Sequence, residues 1–348
     1  MQSDLTNFFD VSFHELETHI REIGEPRYRA DQIWSWAHRE YSDAFAEMTD
    51  LPARLRRQLS RRYSLQPATV VDTLVDEQSG TWKVALQLSD GQKIETVLMQ
   101  GKHGNTVCVS TQVGCSMACA ICATGQIGFV RNLSVGEIVY QFVHFARHVR
   151  QVSPGGRITN VVFMGMGEPL LNYSSTTEAI ARLCDPNGLA LSPRHITVST
   201  IGLPRQIRSL AREPYRVKLA VSLHAADSDT RLRLLPRAGR VPLGELIAAC
   251  RDYSRTTGQR ITFEYVMVEG VNDSERDAKR LISLIGQLPA HVNLIPMNPV
   301  EHCRLTPSPT GKIERFRSLL RQARIPCTVR YSRGLRIRAG CGQLRGPT

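Results

Sequence analysis

Four of the nine cysteines fall within fifteen positions, Cys108, Cys115, Cys119 and Cys122, in the stretch CVSTQVGCSMACAICATG. The last three have the spacing C-x3-C-x2-C, with small residues beside them: Gly114, Ser116, Ala118, Ala120 and Ala123. Such a loop can fold tightly and aim three sulfurs at one point. Three thiolates from one loop can hold three irons of a four-iron cluster and leave the fourth iron free for a substrate. Structural zinc is the competing metal reading, but it wants four tetrahedral ligands, commonly two close pairs. Cys108 lies seven residues before Cys115 and reads as part of a strand. Inert burial, the usual fate of a free cysteine, fits poorly with three in eight residues among polar and small neighbours.

Further candidates stand at the ends of strand-like runs. In MGMGEP, Gly167 lets the backbone approach a ligand, and Glu168 before Pro169 is held extended, where a carboxylate can receive an ammonium group. Ser199 closes TVST; Ser222, Leu223 and His224 lie in VSLHA; Asn298 lies in PMNP. Taken singly, each reads as a satisfied loop residue. Cys341 sits between glycines in RAGCGQL near the chain end, an odd place for core packing and one that suggests a flexible or tightly turned segment. Glu95, in KIETV, is by itself a strand carboxylate beside a hairpin. Cys184, Cys250, Cys303 and Cys327 read as structural, and His103, His144, His148 and His195 receive no role.

The elements that must position these groups change character along the chain. Apolar residues at helical spacing in FHELETHIREI, ADQIWSWAHREY and LPARLRRQL make residues 1–63 a helical appendage. Residues 64–103 switch to alternation, and Asp90-Gly91 between TWKVALQL and KIETVLMQ predicts a hairpin in a small antiparallel element. From 104 to 335, six strand-like runs alternate with helices. They are TVCVSTQV, NVVFMGM, HITVST, KLAVSLH, ITFEYVMV and HVNLIPM, which imply a parallel α/β sheet. Ser134 with Glu137, and Ser274 with Asp277, have capping-box spacing. Residues 336–348 form a tail.

With 348 residues, 42% of them hydrophobic, the chain can bury a large core with an appendage. It lacks an apolar run of about 18 residues, so no membrane span is expected. No basic-then-apolar signal opens the chain, and nine cysteines form no even framework, so a reducing cytoplasm is expected. The net charge is +12; residues 301–348 hold eleven Lys or Arg against two acids, and RLRRQLSRR forms a second basic block at 54–62. Two basic blocks favour a nucleic-acid partner over a solvated face or a membrane.

The cysteine spacing and the wider string CVSTQVGCSMACAICATGQIGFVRNLSVGEI resemble the radical S-adenosylmethionine enzymes, in particular the RlmN/Cfr branch. The likeness runs from RYRADQIW to AGCGQL. It implies a partial (β/α)6 barrel of the TIM type, a 4Fe-4S cluster on Cys115, Cys119 and Cys122, and S-adenosylmethionine on Gly167, Glu168, Ser199, Ser222, Leu223, His224 and Asn298. It further implies that Cys341 carries a methyl group, that Cys108 resolves the intermediate through a transient disulfide, and that Glu95 accepts a proton. The implied reaction is methylation of adenine carbon 2 in 23S rRNA, and of tRNA, by a monomer fed by a flavodoxin or ferredoxin. Carbon 8 is the alternative position. A radical enzyme with another substrate and a zinc-stabilised RNA-binding module are the other readings. Where the family pattern GxDIxAACGQL has an acidic residue, this chain has GLRIRAGCGQL, with Arg336 and Arg338; STIG replaces the usual STSG after Ser199.

Overall fold

A computed structural model describes residues 5–101, 104–301 and 303–346; His103 lies outside them. Three helices lead the chain, α1 Phe13–Glu22, α2 Tyr28–His38 and α3 Ala53–Arg62. Their apolar faces close over Phe8, Phe9, Trp34 and Tyr63, with Phe8 edge-on to Phe45 and Tyr63. In α3, Leu55 and Leu59 face inward, while Arg54, Arg57 and Arg61 are exposed.

Ten strands then form one sheet in chain order: β1 Ala68–Asp76, β2 Thr81–Leu88, β3 Lys93–Gly101, β4 Gly104–Cys108, β5 Ile158–Phe163, β6 Ile196–Thr200, β7 Lys218–Ser222, β8 Ile261–Met267, β9 Ala290–Pro296 and β10 Cys327–Val329. The first four strands are antiparallel, and β4 to β10 are parallel. The fold is therefore α/β, with a curved parallel sheet and an N-terminal helical segment.

Two features differ from expectation. The hairpin at Asp90-Gly91 forms, but its strands are not a separate element, because β3 pairs with β4 from Val97–Cys108 to Gly101–Gly104. A seventh parallel strand, β10, is three residues long, too short to show a sequence period.

Buried on both sides, the parallel strands carry continuous apolar runs, as Leu219, Ala220 and Val221 do in β7. The crossovers supply α4 Val135–Val152, α5 Tyr173–Cys184, α6 Pro204–Leu210, α7 Ser228–Leu234, α8 Leu243–Thr257, α9 Glu275–Ile285 and α10 Thr310–Gln322. Both predicted capping boxes exist: Ser134 and Glu137 exchange bonds at the start of α4, as Ser274 and Asp277 do at α9.

The tail spans the opening between β10, at one edge of the sheet, and β3, third from the other. Just past β10, the Arg333 guanidinium donates to the Gln100 carbonyl on β3 at 2.7 Å. The backbone N–H groups of Arg345 and Gly346 donate to Glu95 Oε2 at 2.8 and 3.2 Å. These contacts require the sheet to curl into a cup. No helix among the described residues is long and apolar enough to cross a membrane.

Candidate active site

The carboxyl ends of the parallel strands face into the cup, where barrel-type folds place their chemistry. One cavity there is lined by Cys115, Cys119, Cys122, Glu168, Ser222 and His224, together with Gly167, Ser199, Glu264 and Cys341. A second, of about 440 Å³, is lined by Cys108, Asn160, Arg330, Tyr331 and again Cys341. Cys341 thus stands between the two.

All nine cysteines are free thiols. Burial raises Cys115 to about 11 and Cys119 well above its usual value, and the neighbouring thiols raise both further. Three thiolates this close need a cationic group to hold them in the charged form. Among the described residues, no three His, Cys, Asp or Glu side chains meet at one point as ligands of a single ion do. A four-iron cluster engages each thiolate through a different iron and needs no such point. The donor set fits the cluster.

Gly167 adopts φ +98°, and a Cβ there would lie 2.6 Å from the Gln112 side chain, so only glycine lets this turn close. The turn delivers Glu168, whose oxygens accept from Leu170 N–H at 3.0 Å and Ile201 N–H at 2.8 Å. Burial pushes its carboxyl up to about 7, against the pull of those bonds and of Thr200. No cation pairs with it among the described residues, and a buried carboxylate so placed suits an incoming amino group.

His224 has φ 58° and is buried. Burial, then Arg231, lowers it to about 3, so the ring is neutral. Its Nδ1 accepts the Val266 N–H at 3.1 Å, which puts the proton on Nε2. Ser199 and Ser222 line the cavity as expected. Leu223 does not; its side chain is fully buried in the hydrophobic core. Asn298 is turned toward the tail, donating to the Cys341 carbonyl at 2.9 Å and Ser332 Oγ at 2.8 Å.

The tail is tightly turned rather than loose. Gly342 accepts from Ala123 N–H at 2.7 Å, the Leu344 carbonyl accepts from Thr124 Oγ1, and Gln343 Nε2 donates to the Pro299 carbonyl at 2.8 Å. Cys341 opens onto the cavity, yet the protein around its thiol raises its pKa, while the Arg330 cation pulls it down. Cys108 is pushed up to about 12, by burial first and then by Cys341. Both cysteines line the outer cavity.

Glu95 lies beneath the tail and lines neither cavity. Its Oε1 pairs with Lys83 Nζ at 2.8 Å in a buried ion pair, and Oε2 holds the tail backbone. Arg338 and Arg345 both reach Glu301, at 3.5 and 2.5 Å.

Sequence reading missed Lys83, Arg330, Glu264 and Arg231. Glu264 is buried with Oε2 unpartnered beside the cavity. Its only sequence signal was a charged residue in the apolar strand ITFEYVM, where an unpaired charge is costly. Cys303, read as structural, points its sulfur at the Ala120 carbonyl of the cysteine loop at 3.3 Å.

Residues 109–282 match the radical SAM superfamily, and residues 6–65 match the N-terminal domain of the ribosomal RNA large subunit methyltransferase. Over 336 residues the chain is 44% identical to a probable dual-specificity RNA methyltransferase RlmN of Symbiobacterium thermophilum, covering 96% of this chain and 90% of that one. This chain belongs to the RlmN family of radical SAM methyltransferases. It is also 41% identical to the ribosomal RNA large subunit methyltransferase N of Nitrosopumilus maritimus, over 98% of this chain and 99% of that one. Its fold superposes with a TM-score of 0.95 on a radical SAM methyltransferase from Sphaerobacter thermophilus, at 48% identity, covering 98% and 99% of the two chains. Family members use a 4Fe-4S cluster and S-adenosylmethionine.

Proposed function

We propose that this protein methylates carbon 2 of an adenine in 23S rRNA, and in tRNA, through a methyl group carried on Cys341. The observation that supports this most directly is that Cys341 lines both cavities and that Cys108 lines the outer one with it. A thiol so placed can take a carbon on the inner side and pass it to a base on the outer side. Adenine carbon 2 is electron-poor and resists a methyl cation but accepts a carbon radical.

Cys115, Cys119 and Cys122 would hold the cluster, which with bound S-adenosylmethionine would supply an electron, a methyl group and a hydrogen-abstracting radical. The chain does the rest. Glu168 would accept from the amino group of S-adenosylmethionine, and Gly167, Ser199, Ser222 and His224 would shape its pocket, with His224 offering Nε2–H. Arg330 favours the Cys341 thiolate that takes the first methyl. Loss of a hydrogen from that methyl gives a carbon radical on Cys341, which adds to adenine in the outer cavity. Glu95 accepts the proton leaving the base, which requires residues 345–346 to release its Oε2. The adduct returns one electron along the route that supplied it; the Cys108 thiolate then attacks the Cys341 sulfur, the S–S bond forms as the sulfur–carbon bond breaks, and the departing carbon takes a proton to become the methyl group of the base. Asn298 keeps the Cys341 turn in place.

Residues 1–63 and 336–348 are the proposed RNA-holding appendage and catalytic tail, and a flavodoxin or ferredoxin is the proposed electron source. The test is anaerobic turnover with S-adenosylmethionine bearing a trideuterated methyl group, followed by mass spectrometry of the RNA nucleosides. The expected product is 2-methyladenosine with two deuteriums. Retention of all three would exclude the radical route through Cys341, and elution as 8-methyladenosine would move the site to carbon 8.

A further inference from the structure

Arg231 is among the largest fully buried side chains of the molecule. Its two Nη groups donate to backbone carbonyls, of Ala238 and, at 2.7 Å, of Ile201, while Nε has no partner among the described residues. A buried guanidinium is normally matched by a carboxylate, because carrying an unpaired charge out of water is expensive. The ionisable groups that favour its charge are instead two thiols, Cys119 first and then Cys250. The helix that carries it, α7, touches the cysteine loop directly, since the Leu234 carbonyl accepts from Ala120 N–H at 2.9 Å. The Ile201 residue that Arg231 holds by its carbonyl donates its N–H to Glu168.

We propose that Arg231 is the counter-charge of the iron–sulfur cluster, a positioning residue that stabilises its reduced form and holds Ile201 in line with Glu168. The inference rests on Cys115, Cys119 and Cys122 being the cluster ligands. A cluster on three thiolates is anionic and gains one more negative charge on reduction, and net charge nearby is one determinant of its potential. A fixed cation in a medium that excludes water therefore favours the electron's arrival. It also explains a charge that carbonyl dipoles alone leave only partly compensated. Burial lowers Arg231 to about 10, which still leaves it charged at neutral pH.

The test uses the reconstituted full-length protein and two variants, R231M and R231K. Electron paramagnetic resonance followed through a redox titration gives the midpoint potential. In R231M the reduced-to-oxidised ratio at a given potential is expected to fall about tenfold, a shift of about 59 mV for one electron. R231K, which keeps the charge, stays near wild type. A second readout covers poor folding of R231M. Thermal melting with and without the cluster should show a larger gain on loading for wild type than for R231M, because the cluster neutralises a charge that only wild type carries. Equal potentials in wild type and R231M, or equal gains on loading, would reduce Arg231 to a tether of two carbonyls and overturn the proposal. Iron retained by C119A would instead overturn the ligand assignment beneath it.

Discussion

At Glu168 both carboxylate oxygens lie against backbone N–H groups, and the side chain is buried at the wall of the inner cavity. The folded chain keeps this proton up to about pH 7, against 4.5 for an ordinary glutamate. Between those values the folded state binds more protons than the unfolded one, so stability falls as pH rises. The contribution is fully present below pH 4.5 and lost as pH climbs through 7. Cofactor-free protein is therefore expected to lose up to about 2–3 kcal/mol between pH 5 and 7.5 from this group, and E168Q should lack that step. Denaturant titrations across that range decide it; parallel curves for the two proteins would show that Glu168 ionises normally. The same side chain illustrates why the site is built as it is. Its burial is unfavourable without ligand and is relieved when an amino group arrives.

The start of α4 locks the helical segment to the barrel. Asp10 accepts from Gly136 N–H at 2.6 Å and from Ser134 Oγ at 3.0 Å, so a carboxylate caps the positive end of the helix from another part of the chain. Arg131 clamps the same end, donating to Glu137 at 2.8 Å and to Asp90 at the hairpin tip at 2.6 Å. Gly136 is what allows the approach: a Cβ there would lie 2.3 Å from Asn7 Nδ2 and 2.6 Å from Asp10 N. Gly136→Ala would gain about 1 kcal/mol of helix propensity but incur about 1–3 kcal/mol of overpacking. The expected net result is a lower denaturation midpoint. A midpoint at or above wild type would show that the two segments slide apart without loss.

Across the whole molecule, the charge is arranged for a polyanion. The exposed face of α3 presents Arg54, Arg57 and Arg61, and the rim of the outer cavity carries Arg330 and Arg333. Arg336, exposed in the tail, adds to the same sign. RNA affinity should fall steeply with salt as counterions are released. Replacing Arg54, Arg57 and Arg61 by Ala should reduce the slope of log affinity against log salt by about two, without loss of folding stability, because the three side chains are solvated. Filter binding at several salt concentrations measures the slope. An unchanged slope would place the RNA on another face.

Local pattern was enough to show the cysteine triad, the capping boxes at Ser134 and Ser274, the hairpin at Asp90-Gly91, and the polar residues that end the strands. Each of these is written within a few residues, where spacing and backbone preference dictate the outcome. The curl of the sheet was not visible there. It depends on the tail reaching Glu95 from 250 residues away and on a strand, β10, of three residues. Nor could spacing show that Cys341 divides two cavities, that Lys83 neutralises Glu95, or that Arg231 lies behind the cysteine loop without a carboxylate. Chain order carries no information about which buried charges meet. That was decided by the packing of the tertiary structure, because the free energy of a buried charge depends on what lies within a few ångströms of it.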